Sequence, residues 1–221
     1  MVVLPDADMN MAADAAVGDI GDELVAKVRS RATALRVGNP QDATSDMGPV
    51  ISRDSLVRVS RYIDDAEKQG ATVIVDGRGD HAADGWWLRA SIIDHVRSGM
   101  SVHADETFGP VLSVVRADTY EDAIATIASH PLGNGAAIFT RDGAVARRFV
   151  DDVEAGQIGV NVPIPFPVFF HGFGGWKDSA FTETKLFGPG ALAFCTRTKT
   201  VSARWPDPAA SKIDLGFPTA R

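Results

Sequence analysis

The chain has 221 residues, 45% of them hydrophobic and 23% charged, with a formal net charge of −7 and a single cysteine. A chain of this length closes a core without disulfide or metal staples, and one cysteine excludes an internal disulfide framework. Acidic charge spread along the sequence argues against a nucleic-acid surface, which needs a basic stripe, and no apolar run approaches the length of a membrane span.

The first residues, MVVLPDAD, are apolar only as far as Leu4 before Pro5, Asp6 and Asp8 intervene. A secretory signal needs basic residues and a longer apolar run, so a cytoplasmic protein is expected. Residues 2–4 predict a strand and residues 9–17 a short helix. Leu24, Val25, Val28, Ala32 and Leu35 recur at helical spacing over 22–35. Ser52 predicts the cap of a longer helix that buries Leu56, Val59, Ile63 and Ala66 and stops at Gly70. Strands are expected over 72–75, 87–93 and 111–115. Thr119 and Asp122 form a capping box for a helix carrying Tyr120, Ala123, Ile124 and Ile127. A strand at 136–140, a helix over 143–153 behind Asp142 and a buried strand at 157–162 follow. This alternation predicts an α/β fold with a mostly parallel sheet. Residues 163–190, rich in Pro, Gly and Phe, read as loop, 191–203 as a final strand, and 206–221 as an irregular tail.

Several motifs invite a chemical reading. The five histidines offer only His103-x-x-Glu106 as a metal pattern, and without a second close ligand no metal site is expected. The run His171-Gly172-Phe173-Gly174-Gly175-Trp176-Lys177 matches no phosphate-binding loop. Proline at 163, 165 and 167 forbids a central strand, so the apolar run from Val162 to Phe170 covers a pocket, a sheet edge or another subunit, or is a buried crossover. His103-Ala104-Asp105-Glu106-Thr107-Phe108-Gly109-Pro110 leads straight into a strand, placing a carboxylate, an aromatic ring and a Gly-Pro turn at its start.

Glu106-Thr107-Phe108-Gly109-Pro110 resembles the E-x-F-G-P motif of the aldehyde dehydrogenases, and the segment Leu132-Gly133-Asn134-Gly135-Ala136 through Arg141 is similar to the one that follows it there. Residues 1–8 resemble the strand that enters that family's catalytic domain. Asn161-Val162-Pro163-Ile164-Pro165, Phe173-Gly174-Gly175-Trp176-Lys177 and the closing Thr200-Val201-Ser202-Ala203-Arg204-Trp205 resemble the CoA-acylating methylmalonate-semialdehyde dehydrogenases. The resemblance implies a partial catalytic domain over 1–190, an oligomerisation strand over 191–205 and a tail over 206–221, with an NAD-binding domain preceding Met1. In the family a cysteine thiolate attacks the aldehyde, hydride passes to NAD, and the thioester is handed to CoA. Glu106 would hold a ribose of NAD and Phe108 would pack near the nicotinamide. Asn161, Phe166, Phe170 and Phe173 would line the substrate entrance.

The same resemblance exposes a gap. The family's nucleophile loop and a following central strand should precede the helix that begins Asp22-Glu23-Leu24, but the chain runs directly from Ala12-Ala13-Asp14-Ala15-Ala16-Val17 into it. Cys195 stands instead in the closing segment between Phe194 and Thr196, away from the basic or helix-N-terminal setting of a reactive thiolate, and reads as structural. No catalytic residue is therefore assigned. A truncated family member, inactive alone, is expected, with malonate or methylmalonate semialdehyde and CoA as substrates of a complete relative. The alternatives are a non-catalytic subunit that joins its own copies or full-length family subunits, and an enzyme whose dinucleotide domain and nucleophile come from a separate chain.

Overall fold

In the computed structural model the described residues are 1–8, 20–79, 85–166, 170–172, 174–181 and 187–205. Strand β1 (Val2–Val3) is followed by helices α1 (Gly21–Ala34) and α2 (Arg53–Lys68), then by strands β2 (Thr72–Val75) and β3 (Ser91–Asp94). A short helix α3 (Ser101–Ala104) precedes β4 (Val111–Ser113), helix α4 (Tyr120–Ser129), and strands β5 (Leu132–Gly133) and β6 (Gly135–Phe139). Helix α5 (Gly143–Asp152), β7 (Gln157–Val160), β8 (Trp176–Lys177) and helix α6 (Gly188–Cys195) complete the order.

The caps behave as the sequence requires. Ser52 accepts the amide of Ser55, Thr119 that of Asp122, and Asp142 those of Ala144 and Val145, so each helix has orphan N–H groups satisfied at its start. Gly70, at φ +90°, follows the end of α2 in the left-handed region that glycine enters freely.

Among the described residues the strands form two three-stranded sheets and one pair. β1-β6-β7 is parallel throughout; in β2-β3-β4 the β3/β4 pair is parallel and β2/β3 antiparallel; β5 pairs with β8 antiparallel. The two larger sheets share a core. Val3 and Phe139 of the first pack in one cluster with Ile92 of the second and Val114 just beyond β4, under Leu24, Val25 and Val28 of α1. A second cluster sets Phe149 of α5 and Ala123 of α4 against Ile138, and a third sets Ile63 and Ala66 of α2 against Ile93.

Three expectations change. The strand predicted over 191–203 begins instead as helix α6, opened by Gly188-Pro189 with proline in its first turn. A helix satisfies its backbone within the segment, whereas a strand needs a neighbour's edge. Residues 196–205 then run on without regular structure and exposed. The strand predicted over 87–93 starts only at Ser91, because the amide of Arg89 turns to the carbonyl of Gly77. Within the expected loop, Trp176–Lys177 forms β8. The helix expected over 9–17 lies outside the described residues.

Candidate functional site

Glu106 and Phe108 sit together on the loop from α3 to β4, and that loop is gripped from two sides. On the α2 side Arg58 Nη1 donates to the carbonyl of Thr107 at 2.6 Å, and the Tyr62 hydroxyl donates to Asp105 Oδ2 at 3.2 Å. On the β3 side the amide of Ser91 donates to the carbonyl of Pro110 at 2.8 Å. Between these anchors Phe108 adopts φ +43°, a strained conformation for a side chain with a Cβ. Its ring is 74% exposed. The Glu106 carboxylate is exposed and makes no hydrogen bond or ion pair with the described residues. A free carboxylate beside an upright aromatic ring can accept two hydroxyl donors and offer an apolar face to a flat ring.

Gly109 is required by close packing. A Cβ placed there would meet both methyl groups of Val59 at 2.6 and 2.7 Å, and Val59 is completely buried in α2. Gly109→Ala is expected to cost about 1–3 kcal/mol through overpacking, read as a lower urea midpoint with unchanged slope, because the loop must lift from α2.

The helix under the loop is tied to α4 through two histidines. His130 Nδ1 accepts the amide of Leu132 at 3.0 Å and Nε2 lies 2.8 Å from the carbonyl of His103; a carbonyl only accepts, so a ring with its proton on Nε2 satisfies both. The His103 ring meets it edge-on at 5.2 Å. Burial, and then the neighbouring His130, lower the pKa of His103 below its ordinary 6.5. The unfolded chain therefore takes up that proton before the folded one does. Its contribution to stability is complete above about pH 6.5 and is lost as pH falls from there towards the folded-state value. Melting temperatures between about pH 8 and 5 should fall with acidification, and His103→Gln should flatten that slope.

The other residues singled out in the sequence stand apart from the Glu106–Phe108 loop. Phe166 lines a cavity of about 380 Å³ with β7, Val162, Pro165 and Gly172, and no residue of the Glu106–Phe108 loop shares that lining. Phe170 stacks at a tilt on His171, with ring centroids 4.7 Å apart. Asn161, at φ +56°, accepts the Thr140 amide at 3.1 Å and donates to the Thr140 carbonyl at 3.0 Å, so its amide extends the β6/β7 ladder rather than facing a pocket. Phe173 lies outside the described residues. Cys195 is exposed at the C-terminal end of α6, the end of negative partial charge, not the N-terminal setting that reactive thiolates use. No group of three or more His, Cys, Asp or Glu that could hold a metal occurs among the described residues, and none of their helices is long and apolar enough to cross a membrane.

Sequence reasoning missed Arg58 and Tyr62. Their only local signal is four-residue spacing on the polar side of α2; a bond to a carbonyl 49 positions away leaves no trace in it.

Comparison with known proteins bears on this arrangement. Residues 15–201 match the model of the Aldehyde dehydrogenase family. The malonate-semialdehyde dehydrogenase of Pseudomonas aeruginosa is 39% identical over 243 aligned positions, covering 99% of this chain and 49% of the relative. Malonate-semialdehyde dehydrogenase 2 of Oceanobacillus iheyensis is 39% identical over 189 positions, covering 85% and 39%. A Sinorhizobium meliloti 1021 protein, assigned as a methylmalonate-semialdehyde dehydrogenase and solved with NAD, superposes with a TM-score of 0.89 at 38% identity, over 94% of this chain and 47% of that one. The chain spans about half the length of the curated relatives it matches. The first alignment has more positions than the chain has residues, so that relative carries residues with no counterpart here.

Proposed function

The chain belongs to the aldehyde dehydrogenase family, and from that premise we propose that it is a catalytically incomplete half of a malonate- or methylmalonate-semialdehyde dehydrogenase of the cytoplasm. It offers one wall of an NAD site and does not oxidise an aldehyde alone. The observation that carries this reading is the position of its one thiol. Covalent aldehyde oxidation needs a thiolate within reach of the carbonyl and of donors that stabilise the oxyanion. Cys195 ends an exposed helix, whereas Glu106 and Phe108 stand on the loop before β4. In this reading Glu106 receives the hydroxyls of a ribose and Phe108 flanks the nicotinamide, while the thiol and the CoA-acylation chemistry belong to a longer subunit. Intact-mass measurement after incubation with NAD and malonate semialdehyde tests it. An unchanged mass is expected; an acyl adduct on Cys195 would overturn it.

A second reading rests on a separate observation. Helix α6 buries none of its residues, and Leu192 (70% exposed) and Trp205 (93%) leave an apolar C-terminal segment open to solvent. Among the described residues β7 pairs only with β6, at one end of its sheet. Such a segment suits a role as an oligomerisation arm within 191–205, residues 196–205 beyond α6 adding to the sheet edge of another copy or of a full-length family subunit. Native mass spectrometry of the chain mixed with a full-length relative should show a mixed assembly that survives high salt. Monomer beside intact relative would remove this reading.

A further inference from the structure

We propose that His130 is a proton-operated latch that holds α3, and with it the start of the Glu106–Phe108 loop, and that acid releases both. Both ring nitrogens of His130 are committed. Nδ1 accepts the Leu132 amide at 3.0 Å, and Nε2 donates to the His103 carbonyl at 2.8 Å. A protonated ring carries a hydrogen on each nitrogen, so Nδ1–H would face the Leu132 N–H, donor against donor. Leu132 is held in β5 by its pairing with Lys177, so the ring is the part that moves. Turning away from Leu132 draws Nε2 off the His103 carbonyl. Imidazole is the side chain whose ordinary titration brings this change within reach of mild acid.

The surroundings do not compensate a cation. His130 caps the end of α4, where a helix favours positive charge, but Lys177 already holds that place. Its ammonium donates to the carbonyls of Ile127, Ala128 and His130 at 3.3, 2.7 and 3.1 Å. From α3 the His103 ring faces His130 and is itself kept neutral by burial first and by His130 second. Of the nearby acids, Glu154 pairs with Lys177 at 3.7 Å and Asp105 accepts the Tyr62 hydroxyl. Asp178 follows Lys177, and its amide bonds the Pro131 carbonyl. Without the latch α3, four residues long, keeps Tyr62 on Asp105 at 3.2 Å and Ser113 on the Val102 carbonyl at 3.4 Å. Both bonds are longer than the one lost, while buried Val102 keeps the helix in place, so the release is local. The functional meaning of the latch rests on reading Glu106 and Phe108 as one wall of an NAD site, a wall that then loosens in acid.

The test uses the whole chain without cofactor, so the latch stands or fails separately from the NAD reading. Long-range proton–nitrogen spectra at about pH 8 should show His130 with its proton on Nε2. Between about pH 8 and 5, amide protection of Leu132 and of His103–Asp105 should fall about tenfold or more as the His130 imidazolium appears. The amides of β6 should keep theirs. His130→Gln retains a donor for the His103 carbonyl but takes up no proton, and should abolish the pH response at His103–Asp105. His103→Gln leaves the backbone carbonyl in place and should retain that response. A proton on Nδ1 at about pH 8 would overturn the proposal. So would protection at His103–Asp105 that holds or rises in acid, since the cation would then have tightened its bond to the carbonyl. A pH response that survives His130→Gln, or a loss in step with β6 that marks global unfolding, would overturn it equally.

Discussion

Phe139→Ala is expected to lower stability by about 3–5 kcal/mol, as truncation of a fully buried aromatic does. In a chain of this size that moves the melting temperature down by roughly 10 °C or more. Phe139 is 1% exposed at the end of β6 and packs in the cluster that holds Val3 of one sheet, Ile92 of the other with Val114 just beyond β4, and side chains of α1. The effect should exceed that of truncating a side chain in a single-sheet contact, because this cavity opens at the junction where the sheets share no backbone ladder. Urea denaturation followed by far-UV circular dichroism measures it. A loss below about 1 kcal/mol would show that the halves do not depend on one another.

Asp94→Ala should cost about 3 kcal/mol, the low end for breaking a buried ion pair. The Asp94 side chain is 4% exposed at the end of β3, and Arg116 grips it with Nε at 2.9 Å and Nη2 at 2.7 Å. Arg116 is itself 24% exposed and keeps a second partner in Asp22 at 2.9 Å, which tempers the loss. Gly21 leaves room for that guanidinium at the start of α1, so the pair also fixes how α1 lies over the sheet. Burial alone would push the Asp94 carboxyl up. The hydrogen bonds from Arg116 and from the His95 amide outweigh it and hold the group below its ordinary 3.8. Its contribution is therefore present above about pH 4 and lost as pH falls further. The acid limb of unfolding should be shallower in the Asp94→Ala protein than in the parent.

Much of the frame was legible because its signals are local. Ser52 and Thr119 announce α2 and α4 through caps that act within three residues; the β-branched run at 72–75 is a strand as expected, and the strand expected at 136–140 forms over Gly135–Phe139. What the sequence hid depends on distant partners. Residues 188–195 are apolar enough for either state, and as α6 they satisfy their backbone within the segment, a choice that local composition does not reveal. Trp176–Lys177 becomes a strand only because Leu132–Gly133 lies beside it. The family motif singles out Glu106 and Phe108 as candidates, while the arginine and tyrosine that hold their loop come from a helix more than forty residues earlier. Asn161 illustrates the opposite case: a residue type suited to binding closes a strand ladder through Thr140.

The reading of this chain as an incomplete dehydrogenase half is tested most directly by following NADH absorbance with purified protein, NAD, malonate semialdehyde and CoA. No aldehyde-dependent NADH is predicted, with or without CoA. Sustained turnover that disappears in Cys195→Ser would contradict that reading and return the lone cysteine to the centre of the chemistry.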